Sequence, residues 1–353
     1  MILITGGAGF IGSNFILRWF SRENTPIVNL DKLTYAGNLN NLARLEHDPR
    51  YIFVHGDIVD RSLVRQLLEK HQPRAILNFA AETHVDRSIH NPESFIQTNI
   101  FGTNILLEES LKYWKHLSPE KQKAFRYLQV STDEVYGSLA KDAPPAGEKS
   151  PYEPNSPYAA SKASADHLVR AYHHTYGLPT LTTNSSNNFG PYQFPEKLIP
   201  LMIVHALQGK PLPIYGDGLN IRNWIYVEDH CHGIALVLEK GIPGETYNIG
   251  GQSETTNKEI VHTICQILDE LRPDSPHVPH SSLIKYVKDR PGHDRRYSLD
   301  STKIKQQLGW SPKGNFAENL RKTVSWYLDN LVWMDNVMSG EYRDWITTQY
   351  SDK

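Results

Sequence analysis

The stretch Ile2-Leu3-Ile4-Thr5-Gly6-Gly7-Ala8-Gly9-Phe10-Ile11-Gly12 runs from an apolar strand through a glycine turn into a helix. Ile2–Thr5 has the unbroken apolar character of a strand covered on both faces, and Gly12–Arg22 has a helical pattern. Gly6, Gly9 and Gly12 stand at a G-x-x-G-x-x-G spacing. Glycine is needed where the backbone turns sharply and must approach a pyrophosphate, which then meets the unpaired N–H groups at the helix start. A glycine pattern alone is weak. Here the strand–turn–helix context is present, and Asp31 closes the next apolar run, Ile27–Leu30, at the expected distance. A carboxylate there accepts from adenosine ribose hydroxyls and repels a 2′-phosphate, so NAD is expected rather than NADP. The adjacent Lys32 works against that preference, since a cation tolerates phosphate. Asp57 and Ile58 follow a third apolar run, Tyr51–His55, at a place suited to bracket adenine; taken alone, Asp57 also reads as a helix N-cap.

The alternation continues outward. Ser62–Lys70 is helical with Leu63, Leu67 and Leu68 on one face, Ala75–Phe79 is a fourth strand, Asn99–Leu111 is helical, and Tyr127–Val130 is a fifth strand. Strands of this kind alternating with helices predict an α/β fold, a Rossmann-type doubly wound parallel sheet with helices on both faces. From Ser138 the texture changes. Pro144, Pro145, Pro151, Pro154 and Pro157 exclude a central strand or a long helix over 141–157, which reads equally as a loop beside a site or as a plain connector. Thr180–Thr183 is a further strand, followed by irregular polar and proline-rich stretches at 185–197 and 207–222. A helix at Asp229–Glu239 and a strand at Thr246–Ile249 return to the main sheet, and Leu320, Val324, Tyr327 and Leu331 form one helical face. The expected division is a cofactor domain, 1–184 and 223–250, and a smaller mixed α/β substrate lobe, 185–222 and 251–353.

With 353 residues the chain can bury a large core, and its formal net charge of −2 comes without a basic stripe or an acidic tail, so no nucleic-acid partner is expected. No apolar run approaches the ~18 residues needed to span a bilayer, and no secretory pattern precedes the first strand, so no membrane partner and a cytoplasmic location are expected. Cys231 and Cys265 lack metal-ligand spacing; two buried, reduced thiols and no metal are expected.

Two further stretches carry chemistry. In Val130-Ser131-Thr132-Asp133-Glu134-Val135-Tyr136-Gly137, adjacent carboxylates follow the fifth strand, where open α/β sheets place their active groups. Alone, the pair reads as a solvated acidic turn. In Ser156-Pro157-Tyr158-Ala159-Ala160-Ser161-Lys162, Ser156 caps a helix, Pro157 takes its first position, and Tyr158 and Lys162 share a face. Ionising a phenol of pKa ~10 at pH 7 costs about 4 kcal/mol. An ammonium ~5 Å away at an effective dielectric near 20 supplies about 3 kcal/mol, and the positive nicotinamide ring of NAD adds to this. Tyr158 is therefore expected to act as the base that takes an alcohol proton. The acid pair, the tyrosine and the cofactor site read together as an acid, a base and a redox tyrosine around one substrate.

Along its whole length the chain resembles the extended short-chain dehydrogenase/reductase family and, within it, the dTDP-glucose 4,6-dehydratases. The resemblance is carried by Thr5–Gly12, Asp31–Leu39, Ala80–Ser88, Ser131–Gly137, Tyr158–Lys162, Asn187–Gln193, Arg222-Asn223-Trp224 and Asp289-Arg290-Pro291-Gly292-His293-Asp294. The glycine loop and the Tyr/Lys pair mark only the superfamily; Thr132-Asp133-Glu134 and the Asp289–His293 stretch are far narrower. Related epimerases lack the acid pair, and related GDP-mannose dehydratases and UDP-glucuronate decarboxylases typically keep only the Glu. The resemblance implies a lyase that turns dTDP-glucose into dTDP-4-keto-6-deoxyglucose for deoxysugar biosynthesis, rhamnose for example. Tyr158, aided by Lys162 and Thr132, takes the C4 hydroxyl proton while hydride leaves C4 for NAD. Glu134 removes the C5 proton, neutral Asp133 protonates the departing C6 hydroxyl, hydride returns to C6 and C5 is reprotonated.

It further implies that Phe10, Ile11, Leu33, Thr34, Ala80, Ala81, Thr83, Thr98 and Asn188 lie near NAD. Thr83, Asn187, Lys197, Leu198, Pro213, Ile214, Tyr215, Arg222, Asn257, Asp289, Arg290, His293 and Tyr350 lie near the sugar nucleotide. Arg222 and Arg290 suit a pyrophosphate, because guanidinium presents paired donors; each of the others alone reads as ordinary surface or core. A homodimer through the helices carrying Asn99–Leu111 and Tyr158–Tyr172 is also implied. The alternatives are an NAD-dependent sugar-nucleotide 4-epimerase or decarboxylase, a UDP-glucose 4,6-dehydratase, and a catalytically silent dinucleotide sensor on the same fold.

Overall fold

A computed structural model describes residues 1–338. In chain order its strands are β1 (Ile2–Thr5), β2 (Ile27–Asp31), β3 (Tyr51–His55), β4 (Ala75–Asn78), β5 (Arg126–Thr132), β6 (Thr180–Ser185), β7 (Asn187–Phe189), β8 (Leu212–Tyr215), β9 (Ile221–Tyr226), β10 (Thr246–Ile249), β11 (Ser253–Thr256) and β12 (Ile284–Val287). Seven of them form one sheet in the order β10-β6-β5-β4-β1-β2-β3, every pair parallel. The chain winds outward from β1 to β3, then crosses to β4 and winds the other way. The β1/β4 junction is thus the topological switch point, where such sheets bind ligands beyond the strand ends. The expected Rossmann-type sheet is present. β7, β9 and β11 make a small mixed sheet, and β8 pairs with β12.

Both faces of the sheet are covered. On one side Phe15, Ile16 and Trp19 of the helix Phe10–Phe20 pack with Ile234, Val237 and Leu238 of the helix Val227–Lys240, joined by Ile304 and Trp310. On the other, Val64, Leu67 and Leu68 of the helix Arg61–His71 meet Leu106, Leu107 and Leu111 of the helix Thr103–Lys115. A separate core joins Phe189 and Trp224 to the helices Leu198–Leu207, Asn257–Leu271 and Phe316–Asp329. Each such side chain contributes roughly 1.5–3 kcal/mol through burial.

Several local expectations shift. The first helix starts at Phe10, with Gly9 as N-cap, because the glycine turn needs no residues beyond Gly9. Val64 joins Leu67 and Leu68 as a fully buried residue, with the expected Leu63 half-buried against the same core; Asp60, not Asp57, caps that helix, its side chain accepting from Ser62 N and Leu63 N. Leu331 leaves the expected face: the helix Phe316–Asp329 stops at Asn330, a new helix starts, and Leu331 is 41% exposed. The helical stretch before Thr103 is a π-helix over Ile96–Gly102. Residues 207–222, expected to be irregular, contain β8 and the start of β9.

Residues 141–156 run as a strap across the strand ends. Glu153 N donates to Val135 O, Ala146 N to Ser298 O, and the Asn155 side chain to Asp294 Oδ1 at 2.7 Å. Cys231 and Cys265 are buried free thiols. Among the described residues no His, Cys, Asp and Glu cluster could hold a metal ion, and no helix is long and apolar enough to cross a membrane.

Candidate active site

Beyond the ends of β1, β2, β4 and β5 lies a cleft of about 290 Å³. Its floor is the glycine turn. Gly6 has φ +70°, and a Cβ there would sit 2.6 Å from Ala80 N; a Cβ on Gly12 would sit 2.4 Å from Gly6 O. Both positions therefore exclude any side chain. No side chain caps the helix at Gly9, which leaves its first N–H groups for a ligand. At the end of β2, Asp31 is anchored by Ala8 N and Leu33 N, each 2.8 Å from a carboxylate oxygen. Two N–H bonds leave acceptor capacity for hydroxyls. Lys32 is paired with Asp57 at 2.6 Å, so its charge is engaged and does not offset Asp31. An uncapped helix N-terminus, a ribose-positioned carboxylate and the Tyr158/Lys162 pair at the far end fit NAD.

Of the residues expected near the cofactor, Gly6, Gly9, Phe10, Ile11, Gly12, Asp31, Lys32, Thr34, Asp57, Ile58, Ala80, Ala81, Thr83, Thr98, Tyr158, Lys162 and Asn188 line this cleft. Leu33 does not. It takes φ +53° in the turn, and its backbone N–H holds Asp31. Thr98 reaches the cleft from the π-helix, a widened turn that often marks a functional position.

A second cleft of about 180 Å³ shares Glu134, Asn187, Asn188, Gln193, Glu196 and Lys197 with the first. It is lined by Leu198, Pro213, Ile214, Tyr215, Arg222, Asn257, Arg290 and His293, residues that the resemblance groups together. Asp289 is not in its lining; it stands behind His293, accepting from Nδ1 at 2.6 Å. Tyr350 lies outside the described residues. Arg290 pairs with Asp86 at 3.1 Å while its buried Nε keeps no partner. Arg222 donates to Asp294 O and lies 4.3 Å over the Tyr297 ring. The helix Leu198–Leu207 starts at Lys197 without a side-chain cap, so its N–H groups add to these cations.

Sequence reasoning missed His84, Asp86, Glu196 and Tyr297, which also line the second cleft. Glu196 accepts from Tyr35 OH at 3.0 Å, and burial lifts it to about 7. Its one signal was its place beside Lys197; Asp86 lay within Ala80–Ser88 without being singled out.

The acid pair sits where the clefts meet. Thr132 ends β5 and caps a short 3₁₀ turn, Asp133–Tyr136, its hydroxyl oxygen accepting from Glu134 N and the hydroxyl contacting Asp133 Oδ1 at 3.3 Å. Asp133 is buried, with Oδ2 unpartnered. Burial holds its carboxyl well above the usual range, the Glu134 charge lifts it further, and Arg222 opposes only in part. Glu134 is also raised by burial, but Arg290, Arg222 and Lys197 all favour its anion. Neighbouring carboxyls with such different surroundings divide into a neutral acid and an anionic base.

The redox pair departs from its expected electrostatics. Tyr158 is buried, with Phe95 edge-on at 6.3 Å, and Lys162 Nζ donates to Val130 O at 2.8 Å. Burial pushes the Tyr158 phenol up, Glu134 adds to this, and the Thr132 hydroxyl opposes it. Lys162 is itself lowered by burial. The ~3 kcal/mol expected from Lys162 is thus set against the desolvation of a buried phenolate beside the Glu134 charge.

A model of the family described as GDP-mannose 4,6 dehydratase matches residues 3–323. The dTDP-glucose 4,6-dehydratase of Xanthomonas campestris pv. campestris is 59% identical, with 97% of each chain covered, and one from Escherichia coli is 54% identical over 97% of each. A solved dTDP-glucose 4,6-dehydratase from Streptomyces venezuelae with NAD bound is 47% identical and superposes with a TM-score of 0.86 over 95% of this chain and 99% of its own. With the acid pair, the Tyr/Lys helix and both clefts in place, the chain belongs to the extended short-chain dehydrogenase/reductase family and, within it, to the dTDP-glucose 4,6-dehydratases.

Proposed function

We propose that the protein is a hydro-lyase that removes water from dTDP-glucose across C5 and C6, giving dTDP-4-keto-6-deoxyglucose with NAD as cofactor. The observation that carries this is the Asp133–Glu134 pair, held beside Tyr158 where the two clefts join. What NAD supplies in the first cleft is reversible hydride storage, so none is consumed in the net reaction.

The chain's own groups then have separate tasks. Tyr158, in contact with Thr132, takes the C4 hydroxyl proton. Its ionisation is favoured when Asp133 is neutral, since Asp133 and Glu134 are charges that oppose it. Oxidation at C4 acidifies the neighbouring C5–H bond, and Glu134, favoured as an anion by Arg290, Arg222 and Lys197, takes that proton. Asp133 gives its proton to the C6 hydroxyl as water leaves. Arg222, Arg290, Lys197 and the N–H groups at Leu198 suit the diphosphate, and Pro213, Ile214, Tyr215, Asn257 and His293 the nucleoside.

A cofactor domain of 1–184 and 223–250 and a sugar-nucleotide lobe of 185–222 and 251–353 are part of this proposal, supported by the separate core around Phe189 and Ile264; Ile304 and Trp310 pack instead on the main sheet, and Trp224 in the lobe's core. So is a homodimer through the helices around Asn99–Leu111 and Tyr158–Tyr172, supported by Ile96, Phe101 and Tyr176 standing exposed there. A cytoplasmic location is proposed from the same resemblance.

Incubation with dTDP-glucose and with UDP-glucose tests the function. A 4-keto-6-deoxy product from the thymidine substrate, without net NADH release, is expected. A C4 epimer as main product rejects the dehydratase and promotes the 4-epimerase. Faster turnover of UDP-glucose reassigns the nucleotide, which differs by one methyl group worth only ~1–3 kcal/mol.

A further inference from the structure

We infer that Tyr35 and Glu196 form a latch between the two clefts: their hydrogen bond holds residues 32–37 against the sugar-nucleotide lobe and so closes the ribose side of the NAD site. Both are positioning residues, acting on NAD through the segment they hold. The inference rests on the reading of the first cleft as the NAD site and deepens the proposed function. Hydride taken from C4 has to return to C6 from the same cofactor, so NAD that leaves part-way ends the cycle.

Residues 32–37 continue from Asp31 at the end of β2 and put Lys32, Thr34, Ala36 and Gly37 into the lining of the first cleft. The ends of this segment are fixed within the cofactor domain: Leu33 N donates to Asp31 Oδ1 at 2.8 Å, and Asn38 N to Ala8 O at 3.0 Å. Its middle is held from the other side. Tyr35 OH donates to Glu196 Oε1 at 3.0 Å, across 161 positions of sequence. The Tyr35 ring stands edge-on to Phe194 at 5.4 Å, and Tyr35 and Ala36 pack on the core of the lobe.

Glu196 is itself braced. It is buried, and its Oε2 lies 3.8 Å from both Arg87 Nε and His84 Nε2. The Arg87 guanidinium also lies 3.7 Å over the Tyr35 ring, so one cation favours both members of the pair. Burial and the Glu196 charge keep Tyr35 a neutral phenol. Its proton therefore stays available to donate, and a carboxyl group accepts it whether ionised or neutral. The next residue does the same for a second loop: Lys197 Nζ donates to Thr83 O at 2.8 Å, and Thr83 lines the first cleft after β4. The strand order β4-β1-β2 puts these two loops on either side of the glycine turn. Two adjacent side chains of the lobe thus hold both flanks of the NAD site. Apparent affinity scales with the fraction of molecules whose site is closed and competent, so loss of the latch lowers NAD affinity.

The test compares wild type, Tyr35→Phe, Glu196→Ala and the double variant. Tyr35→Phe removes the donor and keeps the ring and the net charge. Calorimetry reads two quantities: the Kd for NAD of protein stripped of cofactor, and the Kd for dTDP of NAD-loaded protein. Tyr35→Phe should raise the Kd for NAD about fivefold or more, the worth of one buried hydrogen bond, and leave that for dTDP within about twofold. In the double variant the Tyr35 substitution should add less than about twofold to the effect of Glu196→Ala, because the bond is already gone. A Kd for NAD within about twofold of wild type in Tyr35→Phe overturns the inference, whatever happens to its Tm. An equal loss of dTDP affinity also overturns it, since the lobe and not the segment would then have moved, and so does full additivity in the double variant. Should Glu196→Ala not fold, the two binding measurements on Tyr35→Phe decide alone. Absence of wild-type turnover on dTDP-glucose counts against the proposed function alone, because NAD binding is read without substrate.

Discussion

The two clefts meet at Glu134 yet are built in opposite ways. The first is made by backbone: the glycine turn, the uncapped helix start at Gly9 and the carboxylate that closes β2. Its groups come from the ends of adjacent strands, so the sheet itself places them. The second is made by long side chains from distant segments, and each cation carries its own brace: Arg290 has Asp86, Arg222 has Asp294 O and the Tyr297 ring, and Lys197 has Thr83 O. Recognition by backbone tolerates almost no added atom. Recognition by braced cations tolerates shape change and fails when charge is lost.

The sharpest test lies at their junction. Tyr158→Phe should fold and bind both ligands yet lose about 10²–10⁴-fold in kcat; retention of more than a tenth of the rate removes the tyrosine from the reaction. The carboxylates should separate by step. Glu134→Gln should still oxidise C4, giving enzyme-bound NADH absorbance without deuterium entering C5 from solvent. Asp133→Asn should keep C5 exchange and stall at water loss, each about 10²-fold or more below wild type overall. Identical partial reactions in both variants would erase the acid/base division drawn from their unequal surroundings.

A crossed pair probes the clefts themselves. Arg290→Ala should raise KM for dTDP-glucose about 30-fold or more, as loss of one partner of a buried charge pair does, and leave NAD affinity within about twofold. Gly12→Ala should do the reverse, with a stability loss of about 1–3 kcal/mol from the added Cβ, visible as a lowered Tm and weak NAD binding by calorimetry. Equal damage to both ligands from either variant would mean that the clefts do not act separately. The smallest effect expected is cofactor choice. With Lys32 held by Asp57, NAD should bind about tenfold or more better than NADP, and Asp31→Ser should narrow that gap.

The same contrast explains what could be read in advance. The first cleft was legible almost residue by residue, because a strand, a glycine turn and a helix written consecutively place their own atoms. The one expected residue outside its lining, Leu33, stands in a left-handed turn that no local pattern announced. The second cleft was legible only through resemblance. Three of its four missed residues, Asp86, Glu196 and Tyr297, lie far apart in the chain and matter because Arg290, Tyr35 and Arg222 reach them. The Tyr158 phenol illustrates the remaining gap: helical spacing identified its partner, but the desolvation set against Lys162 depends on packing by Phe95 and on Glu134. Leu331 shows the same limit for the fold, since periodicity ran on past Asn330 where the helix stops.

The proline-rich strap has a consequence for recombination. Its residues are stitched to Val135 beside the acid pair, to Asp166 through Tyr152, to Ser298 through Ala146 and to Asp294 through Asn155. A chimaera that joins this sheet to a relative's nucleotide lobe would keep the stitches to Val135 and Asp166 and place foreign partners opposite Ala146 and Asn155, where the strap meets Ser298 and Asp294. An exchange of substrate preference therefore has to carry over, with the lobe, residues matched to those two positions of the strap.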